Sequence, residues 1–252
     1  MAQPSHLEVS PFWGRRAAEM RGGKRILLKI FPLHVLLQLK FELQVVWARL
    51  THHRHQRAFR GRCSLLVNIG SGSRGRSGWV NTDVLPMPGV DCVCDCRRGL
   101  PFDDGSVDVI FSEHFFEHID YTEEAPYFLA ECRRVLAPGG VVRIIVPDAG
   151  RYLQAYAAAG WSGLVQLRQL QPDNFDRYTN CRYRTKMELV NEIFRQAGTH
   201  KFAYDAETLI RLLQDAGFSR VQQQSYGQSF DERLRIDLAD REHESLYVEA
   251  VK

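Results

Sequence analysis

Short apolar runs alternate with helical segments along most of this chain, and that alternation is the feature that most constrains its fold. The runs cover residues 64–69, 79–83, 90–95, 107–112, 141–146, 221–224 and 245–251. Between the fourth and fifth runs, residues 123–136 carry apolar side chains at helical spacing and end before a proline and two glycines. Strands that alternate with helices form a parallel sheet covered on both faces, so an α/β domain is predicted.

The first run leads into a glycine-rich loop at residues 68–75, NIGSGSRG. Its spacing fits the dinucleotide-binding pattern G-x-G-x-x-G, which alone is weak evidence. Only the eight residues 71–78 lie between Gly70, the first glycine of this loop, and the next run, whereas a parallel crossover takes roughly a dozen or more. We therefore expect the helix after the loop to be a single turn or missing. That disfavours a nicotinamide-dependent oxidoreductase, whose dinucleotide binds at the N-terminus of this helix.

Polar residues follow five successive predicted strands. In an open α/β sheet, ligands bind beyond the carboxyl ends of the strands, so these residues are expected to lie around one site. They are Asn68 with the glycines, Asp83, Asp95 with Cys96, Ser112 with Glu113 and His114 (followed shortly by Glu117 and His118), and Asp148.

Together these segments resemble the class I S-adenosylmethionine-dependent methyltransferases. The nearest group is methyltransferase type 11, which includes the ubiquinone/menaquinone-type enzymes and many predicted methyltransferases of bacterial glycan clusters. The resemblance covers about residues 63–150 and 200–252, and it rests on the combination of blocks rather than on any one of them. The matching blocks are residues 68–73, 78–84, 100–112 (LPFDDGSVDVIFS), 113–119 (EHFFEHI), 134–148 (RVLAPGGVVRIIVPD), 201–221 and 245–252.

The resemblance implies an α/β, Rossmann-like sheet of seven strands, mostly parallel with an antiparallel last strand. It also implies S-adenosylmethionine as the cofactor and assigns roles to several residues. Gly70, Gly72 and Ser112 would lie near the methionine part of the cofactor. Asp83 would hold the ribose hydroxyls, and Asp95 with the backbone of Cys96 would meet the adenine. Asn68 stands where an acidic residue is common, so its contact with the cofactor's amino group would be weaker.

A methyltransferase must align its acceptor with the methyl group and exclude water, and it needs a base only if the acceptor enters protonated. His114 and His118 are the leading candidates for that base, and Asp148 and His200 are further ones; each could instead be structural. Residues 151–199 would cover a small-molecule or glycan-type acceptor, with arginines and aromatic residues as its wall. A non-catalytic cofactor-binding relative or an interaction module is the alternative.

Residues 1–62 form a basic extension of the domain predicted at 63–252. The extension holds 12 basic and 3 acidic residues, whereas the rest of the chain has a net charge of −6. That negative charge makes a nucleic-acid acceptor unlikely for the domain. The apolar run 26–50 is too interrupted to span a membrane, and a helix is favoured there. The helix could pack on the domain, or residues 15–62 could contact an anionic membrane surface.

No metal site is predicted. Cys92, Cys94 and Cys96 alternate along a strand, which does not match zinc-ligand spacing, and the cluster of histidines at 52–55 has no completing carboxylate or cysteine. Six cysteines are too few for a disulfide framework, so a cytoplasmic protein is expected, with possible peripheral contact at the membrane.

Overall fold

The computed structural model describes residues 33–252. The first part of the predicted apolar run and the basic residues between Arg15 and Lys29 therefore lie outside the described residues. All bounds below refer to the described part of the chain.

A seven-stranded sheet forms the centre of the structure, in the order β3-β2-β1-β4-β5-β9-β8. Strands β1 to β5 are parallel, and β9 runs antiparallel to both of its neighbours. The prediction of a mostly parallel sheet with an antiparallel last strand is confirmed. The strands are β1 (Leu65–Ile69), β2 (Val80–Asp83), β3 (Cys92–Val93), β4 (Val107–Glu113), β5 (Leu136–Pro147), β8 (Arg220–Gln224) and β9 (Ser245–Val251), and β6 (Phe175–Asp176) and β7 (Cys181–Arg182) form a separate hairpin.

Helices lie between these strands and before them. They are α1 (Leu33–Phe59), α2 (Glu124–Val135), α3 (Ala149–Ala157), α4 (Ser162–Arg168), α5 (Lys186–Arg195) and α6 (Ala206–Asp215). Between β1 and β2 the described chain has turns and no helix, as the short spacing predicted. Helix α2 buries a stripe at intervals of three and four residues, and this stripe packs on the sheet.

Helix α1 confirms the predicted N-terminal helix and has two different faces. Val45 and Ala48 are fully buried, and Thr51 and Phe59 are nearly so. A second, apolar stripe on the same helix is exposed to solvent. We call it the outer stripe; it consists of Leu39, Leu43, Val46, Trp47 and Leu50. Within residues 33–252, no helix has the length and apolar character needed to cross a membrane.

The segment between β5 and α6 has a small core of its own. Tyr152, Leu164, Leu189 and Ile193 pack together with their neighbours in α3, α4 and α5. Helix α5 begins at Thr185, whose side chain accepts from the backbone N–H of Glu188 while the Glu188 carboxylate accepts from Thr185, a reciprocal capping box. This segment packs beyond the carboxyl end of β5 and forms one wall of a cavity there.

Candidate functional site

The carboxyl ends of β1, β2 and β3 surround one cavity. Four of the predicted cofactor-binding residues line it, Gly70, Asp83, Asp95 and Cys96, and so does His118, a candidate base. Its remaining wall includes apolar side chains that the strand-end pattern did not indicate, among them Phe41, Val84, Phe115 and Ile119. Phe41 belongs to α1, so the basic extension forms part of this cavity.

The glycine loop needs its glycines for two reasons. Gly70 has a φ of +68°, and a Cβ at this position would lie 2.5 Å from the Cβ of Phe115. Gly72 has a φ of +54°, and its backbone N–H donates to Oδ2 of Asp83 at 2.9 Å. A side chain would therefore strain the backbone at both positions and would collide with Phe115 at the first.

Within residues 33–252, the Asp83 carboxylate forms no salt bridge with a lysine or arginine. Its Oδ1 accepts from the backbone N–H of Leu85 at 2.9 Å, and its other oxygen accepts from Gly72. Burial raises the pKa of Asp83, although the backbone hydrogen bonds and the charge of His118 oppose the change. A half-buried carboxylate with acceptor capacity left over suits a ligand that brings hydroxyl donors, as a ribose does.

Asp95 is held by two arginines. Arg97 donates from Nε to Oδ1 at 2.7 Å, and Arg49 of α1 donates from Nε to Oδ2 at 2.8 Å. Burial opposes ionisation of Asp95, but both arginines outweigh it and lower its pKa. The adenine contact stays a prediction, and it requires the carboxylate to be shared with these partners.

Of three further predicted cofactor residues, Cys96 lines this cavity, whereas Asn68 and Ser112 are buried and do not line it. The Asn68 amide donates to Oδ1 of Asn81 at 3.1 Å, which ties β1 to β2 below the loop. The Cys96 thiol lies 3.7 Å from that of Cys94, and this contact, together with burial, raises its pKa far above the ordinary range, so it stays protonated. Ser112 is fully buried, and its Oγ has no hydrogen-bond partner. Their predicted cofactor roles remain untested.

A second cavity, of about 300 Å³, adjoins the ends of β4 and β5. His114, Glu117 and His200 line it, and His118 lines both this cavity and the first one. The two spaces therefore meet at His118. Asp148, the remaining candidate base, instead caps α3 by accepting from the backbone N–H of Arg151 at 3.0 Å.

His114 sits in a constrained position at the end of β4. Its φ is +53°, which is uncommon for a residue other than glycine and concentrates at functional sites. Its Nε2 lies 3.0 Å from Oγ of Ser245, and its Nδ1 lies 3.3 Å from Oε1 of Glu117. An imidazole fixed between a hydroxyl and a carboxylate has the arrangement of a general base with an orienting partner.

Glu117 is the most unusual residue of the second cavity. Its side chain is 2% exposed, yet neither carboxylate oxygen accepts a hydrogen bond of good geometry. Burial opposes its ionisation, but His114, His118 and His200 outweigh that effect and lower its pKa. The sequence placed Glu117 shortly after the fourth strand but gave it no role, because its burial is visible only in three dimensions.

The opposite side of the second cavity contains a buried ion-pair network. Arg168 donates to Oδ2 of Asp176 at 2.8 Å and to Oε2 of Glu244 at 2.7 Å, and Arg241 also pairs with Glu244. Of the four arginines expected in a cationic wall (168, 177, 182 and 184), Arg168 alone lines this cavity, and its charge is compensated. The lining of this cavity is therefore polar with both signs of charge, and the expected aromatic and cationic wall stays a prediction.

The chain is similar to one known domain family and, at low sequence identity, to several solved structures. The methyltransferase domain family matches residues 79–144. No curated protein sequence is significantly similar to the chain. A S-adenosylmethionine-dependent methyltransferase structure from Thermotoga maritima is 16% identical, with 86% of this chain and 95% of that chain covered and a TM-score of 0.46. One from Archaeoglobus fulgidus is 18% identical, with 87% and 100% covered and a TM-score of 0.44.

The methyltransferase-domain match at residues 79–144 and the sheet order with its antiparallel last strand both support a class I S-adenosylmethionine-dependent methyltransferase. It is accordingly a transferase that uses S-adenosylmethionine as its cofactor.

Proposed function

We propose that this methyltransferase acts on a hydroxyl group of a small, saccharide-type acceptor bound in the second cavity. The observation that carries the proposal is the meeting of the two cavities at His118, with His114 beside it. An acceptor in the second cavity would then reach toward a cofactor in the first without crossing solvent.

The lining of the second cavity supports a neutral, polyhydroxylated acceptor over an acidic or apolar one. Arg168 and Arg241 are both paired with Glu244, so their charges are compensated, and within the described chain Nε of Arg241 keeps one hydrogen-bond donor for a ligand. Carboxylates and imidazoles around the same space offer acceptors and donors to hydroxyl groups. Few apolar side chains line it, which disfavours a lipid tail.

His114 is the better candidate for the base. Its contact with Glu117 would stabilise the imidazolium that forms when it takes the hydroxyl proton, and its contact with Ser245 fixes the ring. His118 instead donates from Nδ1 to the carbonyl oxygen of Thr199 at 3.1 Å. S-adenosylmethionine supplies the electrophilic methyl group when bound, so the protein needs only to orient the acceptor and remove its proton.

We further propose that Asp83 binds the ribose hydroxyls, with Gly70 and Gly72 along the methionine part of the cofactor. Its uncompensated carboxylate at the cavity wall supports this role. A hydrogen bond to a charged group contributes roughly 1.5–3 kcal/mol, so Asp83→Ala should weaken cofactor binding by at least about tenfold. Calorimetry would reveal this; equal affinities would remove the ribose assignment.

A panel of saccharides and other small acceptors tests the main proposal, with production of S-adenosylhomocysteine as the readout. We expect turnover on a saccharide, and His114→Gln should lower the turnover rate by roughly 10²–10⁴-fold without changing cofactor affinity. His243→Gln, an exposed histidine outside both cavities, is the matched control. Cofactor binding without turnover on any acceptor would instead favour a non-catalytic relative.

We also propose that α1 contacts an anionic membrane surface peripherally. The exposed outer stripe supports this, together with the exposed basic residues that follow it: Arg54, Arg57, Arg60 and Arg62. Each basic residue near an anionic surface adds about 1 kcal/mol, and salt screens the attraction. The full chain should co-sediment with anionic vesicles at low salt and be released at high salt. Absence of co-sedimentation at low salt would exclude this contact.

A further inference from the structure

Glu117, His118 and His200 form a compact group of ligand-type side chains at the boundary of the two cavities. One ligand atom from each lies within 4.8 Å of the other two. His200 Nε2 lies 3.9 Å from Oε1 of Glu117. Two of the three residues belong to the turn after β4, and His200 comes from the segment before α6, so the fold brings together residues that are far apart in sequence.

The hydrogen bonds of both imidazoles leave the same nitrogen free. His200 Nδ1 lies 2.7 Å from the carbonyl oxygen of Ile193, and His118 Nδ1 lies 3.1 Å from that of Thr199. A carbonyl oxygen can only accept, so Nδ1 is the protonated nitrogen in each ring. Each Nε2 then keeps its lone pair. Histidines that bind metals are commonly fixed in this way by a backbone carbonyl.

The carboxylate of Glu117 gives the second, independent indication. It is almost fully buried, and both of its oxygens lack a hydrogen-bond partner within the described chain. The nearest imidazole nitrogens lie 3.3 Å (His114) and 3.9 Å (His200) from its Oε1 without forming a hydrogen bond of good geometry. A buried carboxylate without hydrogen bonds is costly, and such a group in a folded protein calls for a partner that satisfies it. The basic side chains nearest to this carboxylate in the described chain are imidazoles rather than lysines or arginines. Imidazoles are metal ligands, so this environment favours a bound metal ion over a simple ion pair.

We propose that Glu117, His118 and His200 bind a divalent transition-metal ion, with zinc as the best fit. Two imidazoles and one carboxylate form the ligand set of several catalytic zinc sites, which keep another position open for water or substrate. That open position would face the second cavity and hold an acceptor hydroxyl close to the cofactor. The positioning role rests on the proposed function, whereas metal binding itself does not.

Metal titration of the full-length protein tests the site without any acceptor or cofactor. After removal of metal with a chelator, Zn²⁺ is titrated by calorimetry, and Co²⁺ by the visible absorption it acquires in a nitrogen-containing site. We expect one equivalent to bind per chain. Glu117→Gln, His118→Ala and His200→Ala should each weaken binding by roughly 100-fold or more, whereas His243→Ala should bind like the wild type.

Thermal unfolding distinguishes loss of a ligand from loss of the fold. Zn²⁺ should raise the melting temperature of the wild type and of His243→Ala, but not of Glu117→Gln. Equal Zn²⁺ affinity in the wild type and the three ligand variants would overturn the proposal, as would a preference for Mg²⁺, which favours oxygen ligands. If a saccharide is methylated by protein that binds no metal, the metal site is wrong and the proposed function stands. If the protein binds metal but turns over no acceptor, the metal site stands and the proposed function fails.

Discussion

Gly70 lies at the wall of the first cavity, where the backbone leaves no room for a side chain. Gly70→Ala would place a methyl group within 2.5 Å of the Cβ of Phe115, another residue of the cavity wall. Gly78→Ala is a matched control, because Gly78 also has a positive φ, +79°, but a Cβ there meets nothing within 4 Å. Both variants carry the cost of left-handed backbone, roughly 1–2 kcal/mol.

We expect Gly70→Ala to lose roughly 1–3 kcal/mol more unfolding free energy than Gly78→Ala, because of overpacking. It should also bind S-adenosylmethionine more weakly, since Phe115 must move. Chemical denaturation and calorimetry measure the two effects. If the two variants are equally stable and bind the cofactor equally well, the Phe115 side chain can move to accommodate the added methyl group, and Gly70 is not required at this position for steric reasons.

At this scale the sequence indicated the type of residue but not its partner. The glycine spacing and the polar strand ends were enough to locate Gly70, Asp83 and Asp95 around one cavity. Nothing in the sequence placed Arg49 on Asp95, because that contact joins segments 46 residues apart. The sequence gave Glu117 no role for a related reason: its significance lies in its burial and in the three imidazoles around it.

Helix α1 illustrates what amphipathic spacing can and cannot establish. The apolar spacing predicted a helix over this region, and the structure has one at Leu33–Phe59. Its apolar residues, however, cover two faces, and sequence spacing does not say which face the domain buries. The structure resolves this: a narrow face with small residues packs inward, and the larger outer stripe remains exposed.

Substitutions on the two faces of α1 should have opposite effects. Ala48→Glu puts a charge at a fully buried position and should cost several kcal/mol of unfolding free energy. Leu43→Glu on the outer stripe should change stability by no more than about 0.5 kcal/mol, yet weaken vesicle binding. Thermal unfolding and co-sedimentation measure the two properties. Strong destabilisation by Leu43→Glu would mean that the outer stripe is part of the folded core.

At the scale of the whole molecule, buried charge networks connect distant segments. Arg143, in the middle of β5, is completely buried and pairs with Asp237 at 2.6 Å and with Glu249 at 2.8 Å. The sequence presented residues 141–146 as an ordinary buried apolar strand. The apolar pattern of β5 does not indicate the two carboxylates that compensate Arg143, because they lie near the end of the chain. Only the folded structure explains why an arginine is tolerated at this buried position.

Glu244 makes a second network sensitive to acid. Burial opposes its ionisation, but Arg168 and Arg241 outweigh this and lower its pKa from 4.5 to about 2. The depressed pKa contributes stability that is complete above pH 4.5 and is lost as the pH falls toward 2. A shift of this size corresponds to about 3 kcal/mol at neutral pH.

The variant Glu244→Gln should therefore be less stable than the wild type at pH 7, and the difference in unfolding free energy should shrink as the pH falls below 4.5. Denaturant titrations at several pH values measure this difference directly. A difference that stays constant from pH 7 to pH 3 would show that Glu244 titrates normally in the folded protein.

The placement of Phe41 and the outer stripe on opposite sides of α1 has a kinetic consequence. Phe41 forms part of the wall of the first cavity, which we propose binds the cofactor. The outer stripe, on the other side of the helix, is exposed and can bind a surface. Spent cofactor must leave after every cycle before a fresh molecule enters. A surface that binds the outer stripe would therefore also restrain the wall of the cavity through which the cofactor leaves. The residence time of the cofactor should then be longer when the outer stripe is bound than when it is free.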